Sequence, residues 1–206
     1  MNTSSHQSRR PGGFSLIELL IVLFIMCGVS AMMYSFGSAR RQKTQKALCQ
    51  DNLQKISIAP QIYAKDENGR LPLVTNAVTS EAPMDLLVPR YSADTSIFTC
   101  PGGRDSARPA GESLLQGKIS YAYYTGRRLD DPTAAEWPLL SDRQINTSAK
   151  LKGDQVFSLD GNPPGNNHHK YGGNFLMGDG SVTGSGPAAP FALLLPSNVV
   201  LLNPKP

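Results

Sequence analysis

Cysteine is scarce in this chain of 206 residues: Cys27, Cys49 and Cys100 are the three, and no two form a C-x-x-C pair. Three scattered thiols cannot build a disulfide scaffold, and their spacing does not suit a tetrahedral zinc site. Charge is also thin, at 17% of positions with a net +4, and the basic residues form no stripe interleaved with aromatics. Nucleic acid is therefore not an expected partner. No glycine-rich loop of the phosphate-cradling kind occurs. What is abundant is turn chemistry, because most of the 16 prolines and 19 glycines fall after Arg70. Such a region reads as short strands and long turns, so any long helix has to lie early.

The early segment supplies that helix. Residues 19–36, LLIVLFIMCGVSAMMYSF, carry no charge, and as a helix they come close to the thickness of a bilayer core. A helix apolar on every face belongs to a membrane or to a large core. One small strand-rich domain does not offer such a core, so a single membrane span is expected. Glu18 stands at its edge. A carboxylate there costs a few kcal/mol to bury unless it is paired, so it is expected to have a partner. Snorkelling to the headgroups is the plainer alternative.

Ahead of the span lies a polar, basic leader, MNTSSHQSRRPGG, followed by FSLIELL. In an ordinary secretory signal, the small residues of the cleavage site follow the apolar run. Here Gly12 and Gly13 precede it. Gly13, the apolar Phe14 and Glu18, five positions into FSLIE, resemble the prepilin processing motif of type IV pilins and type II secretion pseudopilins. The resemblance implies that prepilin peptidase cuts between Gly13 and Phe14 and methylates the new amine of Phe14. It further implies that this amine meets Glu18 of a neighbouring copy as the helices bundle. One departure is that many pilins carry a proline midway along the membrane-proximal helix, where this chain has Ser35 with Gly28 and Gly37 nearby. Basic residues flank the span on both sides, Arg9 and Arg10 before it and Arg40, Arg41, Lys43 and Lys46 after it, so charge alone does not orient it. The processing motif implies a cytoplasmic leader, a single pass through the inner membrane and a periplasmic C-terminal domain.

Beyond the span the helix turns amphipathic. Cys49, Leu53, Ile56, Pro60 and Tyr63 fall at alternating steps of four and three, which puts them on one face. Arg41, Gln45, Gln50 and Lys55 fall opposite, and Pro60 should kink or end the helix near Ala59. After Pro72 the patches DLLVPRY, SIFTCP, ISYAYYTG and WPLLSDR suit a small antiparallel sheet laid against that helix. The expected fold is α+β and pilin-like. Residues 1–13 form the leader, 14–37 the span, 38–65 the amphipathic half of the helix, and 66–206 the β-rich globular domain.

Two further resemblances concern that domain. ALCQDNL and SIFTCP are similar to the paired-cysteine pattern of prepilin-type proteins, which implies a Cys49–Cys100 bond worth about 4 kcal/mol in chain-entropy terms. Two buried free thiols remain the alternative. HHKYGGNFLMGDGSV resembles the His-x9-Asp-Gly signature of some prepilin-type proteins, with His169, Asp179 and Gly180 in the matching places. NFLM and SVT read as two strands, with Gly178, Asp179 and Gly180 supplying positive-φ positions for the turn. His168 or His169 with Asp142, Asp160 and Asp179 could also gather around calcium, an oxygen-seeking ion.

Three functions follow from these features. A filament subunit needs no active site and is the first expectation; its partners would be prepilin peptidase, copies of itself, other pseudopilins, the inner-membrane assembly platform and lipid. A membrane-anchored periplasmic binding module would grip polysaccharide or a secretion substrate through Tyr121, Tyr123, Tyr124 and Trp137, although core packing suits those aromatics better. A hydrolase using Cys100 with His169 and Asp142 is not expected, because Cys100 precedes Pro101 with no base or helix start beside it. No cofactor is required by the first reading.

Overall fold

The structure, a computed structural model, describes residues 13, 15–103, 105–165 and 171–206, with 34–39 described by their backbone alone. The chain divides into two compact units, Met1–Arg40 and Arg41–Pro206. Helix α1 runs Leu16–Ile56 and so begins in the first unit and ends in the second. Helix α2 covers Ile58–Asp66 and α3 covers Glu81–Asp85. Five strands follow: β1 (Tyr121–Thr125), β2 (Pro138–Asp142), β3 (Gly173–Met177), β4 (Val182–Ser185) and β5 (Val200–Leu202). They form one antiparallel sheet in the order β4-β3-β2-β1-β5. The architecture is thus the expected α+β arrangement.

In the first unit, Leu16–Met33 is long and apolar enough to cross a membrane, and none of it is buried. Leu16, Phe24 and Met33 are each more than 70% exposed, which an aqueous helix does not tolerate in a continuous run.

In the second unit the same helix has one buried stripe. Cys49, Leu53 and Ile56 are wholly buried, while Arg41, Gln50 and Lys55 are exposed. Gln45 is only half-buried and donates to the Pro101 carbonyl at 3.1 Å. The helix breaks at Ser57, three residues before Pro60. Proline ends a helix through the carbonyl four residues upstream, and that carbonyl belongs to Ile56. Pro60 then sits in the first turn of α2, where its missing N–H costs nothing.

The stripe packs on β1, β2 and β3 through Tyr121, Tyr123, Leu140 and Leu176. Alternate β1 residues, Ala122 and Tyr124, face the other way and pack with Val199 and Leu201. A third cluster joins Phe175 and Met177 of β3 to Val156, Phe157, Ala189 and Leu193 from the surrounding loops. Both faces of the sheet are therefore covered, and all of β1, β2 and β3 are buried. A bulge between Pro138 and Leu140 shifts the β2 register, so Leu139 and Leu140 both join the helix-side core.

Four expectations need correction. DLLVPRY is not a strand: it leaves α3 and continues as turns. SIFTCP is a 3-10 turn instead, because the Asp94 carboxylate caps it by accepting from the Ser96 N–H at 3.0 Å. Gly178 does not have positive φ, as Gly180 does at 88°; its role is close approach, since an added Cβ would lie 2.5 Å from the Trp137 ring. The aromatics offered for ligand binding, Tyr121, Tyr123, Tyr124 and Trp137, are all core residues.

Candidate functional site

The first candidate site is the entrance to α1. Ser15 opens the helix, its carbonyl accepting from the Glu18 and Leu19 N–H groups at 3.0 and 3.1 Å. Glu18 lies in the first helical turn and is exposed, where a carboxylate favours the helix dipole. Gly13 is exposed too, and an added Cβ there would meet nothing within 4 Å. Its smallness is not demanded by packing against the described residues. Phe14 lies outside the described residues, as does His169.

The second candidate site fastens α1 to the sheet. Cys49 on the helix is bonded to Cys100 on the loop before β1, across 51 residues. Cys100 therefore has no thiolate to offer as a nucleophile. Beside the bond lies buried Asp142 at the end of β2, one carboxylate oxygen and the two sulfurs lying within 4.8 Å of one another. Asp142 Oδ2 accepts from the Asn174 N–H at 2.7 Å and from Asn174 Nδ2 at 3.0 Å. The same Asn174 amide donates to the Lys46 carbonyl at 3.1 Å. Lys46 Nζ in turn donates to the carbonyls of Tyr171 at 2.7 Å and Ser185 at 2.5 Å. Burial lowers the pKa of Lys46, and the Asp142 charge partly offsets that.

Lys46 was not singled out by the sequence reading, which treated it as one of several basic residues after the span. Its signal was nonetheless present. Extending the four-three rhythm of Cys49, Leu53 and Ile56 back by three residues lands on Lys46, so it belongs to the buried stripe.

The remaining candidates are engaged locally. The Asp179 carboxylate accepts from Ser181 N–H at 2.8 Å and Oγ at 2.7 Å, closing the β3–β4 turn, and these bonds lower its pKa. Asp160 accepts from Ser158 Oγ at 2.7 Å and from the Asn162 N–H at 3.0 Å; such bonds bring its pKa down to about 2. Among the described residues Asp142, Asp160 and Asp179 do not form one ligand group; the group that does come together is Cys49, Cys100 and Asp142, with its two sulfurs joined.

Comparison with known proteins bears on the first site. The family model described as the prokaryotic N-terminal methylation motif matches residues 8–34. No curated protein and no solved structure matches the chain.

Proposed function

We propose, on the premise that the chain is a type IV pilin-like protein by its N-terminal motif, that it is a structural subunit of a type II secretion pseudopilus or type IV pilus-like filament. Prepilin peptidase cuts between Gly13 and Phe14 and methylates the Phe14 amine. The chain then rests in the inner membrane with residues 41–206 in the periplasm, and the assembly platform draws it into a filament.

The observation that carries this reading is the apolar run Leu16–Met33, none of it buried, directly behind a glycine that packs against no other described residue. Removing each large apolar side chain from water is worth about 2 kcal/mol. First lipid and then neighbouring helices provide that burial. Small glycine at the cut fits a second molecule, the peptidase. Glu18 supplies the register, because the amine freed at Phe14 is an opposite charge for it, and in low dielectric such a pair is strongly directional. The subunit needs no chemistry of its own.

Glu18→Ala tests this. Processing continues in that variant, since Glu18 lies beyond the scissile bond, while filaments recovered by shearing disappear. Wild-type filament yield from Glu18→Ala would remove the carboxylate from assembly.

A further inference from the structure

Away from both sites, a cavity of about 880 Å³ opens in the second unit between residues 105–108, 116–118, Arg143, Pro163, Pro164 and 203–206. That volume lies in the range of ligand pockets. Among the described residues four cationic side chains line it, Arg108, Lys118, Arg143 and Lys205, against one carboxylate side chain, Asp105, and the Pro206 oxygen that takes Lys118. Glu112 ion-pairs Arg108 at 2.5 Å from outside the lining, and even with it counted the cationic side chains exceed the carboxylate side chains by two.

These cations are held in place by the fold. Arg143 is 13% exposed; it donates to the Lys205 carbonyl at 2.7 Å, with the Asp105 carboxylate at 3.8 Å. Ser120 Oγ fixes that carboxylate from the other side at 2.9 Å. The Arg108 side chain lies against Gly117, where an added Cβ would come within 2.5 Å of its Cδ, so glycine there is what lets the guanidinium turn toward the cavity wall. Both Arg108 and Arg143 keep a buried Nε–H without a hydrogen-bond partner, and a buried unpaired donor is costly. Lys118 and Lys205 donate to main-chain oxygens, those of Pro206 and Leu115.

We propose that this cavity binds an acidic peptide segment, whose carboxylates are taken up by Arg108, Lys118, Arg143 and Lys205. The balance of donors and acceptors selects the ligand. The lining side chains carry four cations against one carboxylate, Asp105, which Ser120 and Arg143 already engage. An ionised carboxylate only accepts, so it is matched to such walls, and arginine can hold it with two bonds at once. Among the described residues the lining has no aromatic ring on which a sugar could stack. Instead Pro163, Pro164, Pro204 and Pro206 provide apolar contact for the methylenes of a glutamate-rich chain. The proposal stands apart from the filament reading and does not depend on it.

The test uses the full chain in detergent micelles and a fluorescently labelled hexaglutamate peptide, read by anisotropy at low salt. Saturable binding is expected, weakening as salt rises, with none for hexaglutamine. The double variant Lys118→Gln/Lys205→Gln, whose changes leave the core untouched, is expected to bind at least about tenfold more weakly, since each lost charge-assisted bond is worth about that factor. Absence of saturable binding by the wild type overturns the proposal, as does unchanged affinity in the double variant. Tighter binding of trigalacturonate than of hexaglutamate also overturns it, and assigns the cavity to acidic sugar.

Discussion

Helix α1 is one element with two opposite solutions to the same problem. From Leu16 to Met33 its apolar residues surround the helix and none is buried. After Arg41 they shrink mainly to one stripe, in which Cys49, Leu53 and Ile56 are wholly covered while Leu48 stays exposed. Apolar residues become both fewer and differently arranged after Arg41. An all-round apolar surface has to be covered by something outside the chain, whereas a stripe can be covered by the chain's own sheet. The second half adds devices the first does not show: a covalent bond at Cys49 and the Lys46 hydrogen bonds to the carbonyls of Tyr171, just before β3, and Ser185 at the end of β4. Stability of the globular unit should therefore answer to changes after Arg41, and assembly to changes before it.

The comparison is tested most severely at the disulfide. Cys100→Ser opens a loop of 51 residues and is expected to cost the globular unit about 4 kcal/mol, seen as a fall in denaturant midpoint on urea titration. Processing of the leader should be unchanged in that variant. Next come two leucines on the same helix. Leu53→Ala empties a fully buried position and is expected to cost about 3 kcal/mol, while Leu23→Ala, at a position 57% exposed, should leave the urea midpoint of the globular unit in place. Equal effects would erase the distinction between the halves.

A gentler probe is alkaline pH. Burial raises the hydroxyl pKa of Tyr121, Tyr123 and Tyr124 above the ordinary 10.0. Their folded values exceed their unfolded ones, so the stability they contribute is intact below about pH 10 and lost progressively above it. Lys46 and Lys150 act in the opposite sense, because burial lowers theirs, but they are two groups against three wholly buried tyrosines. Unfolding and tyrosinate absorbance should therefore appear together above pH 10, with the exposed apolar half of the helix taking no part.

Much of this organisation was legible in the sequence, and the limits have physical causes. Periodicity reported the helix stripe because 3.6-residue spacing is a local property. The β3–β4 hairpin was readable from its own turn residues, Asp179 and Gly180. SIFTCP was misread because its apolar run looks like a strand, while the Asp94 cap that makes it a 3-10 turn is a single side-chain bond. Strand β5 went unnoticed: its three residues sit in an apolar stretch whose pairing with β1 is set by tertiary contact. The site shows the same division. Gly13 and Glu18 stand in a contiguous motif, whereas Lys46, Asn174 and Asp142 are brought together from three distant segments. The cationic cavity was invisible for the same reason, since Arg108, Lys118, Arg143 and Lys205 are scattered along the chain.

The most direct test of the account is the identity of the N-terminus on protein recovered from its native membrane, read by intact mass and N-terminal sequencing, with Gly13→Leu alongside. The expected wild-type product begins at Phe14 and carries one methyl group on its amine, while the variant keeps its leader. A wild-type chain that retains residues 1–13, or one cut after the apolar run, would contradict the account.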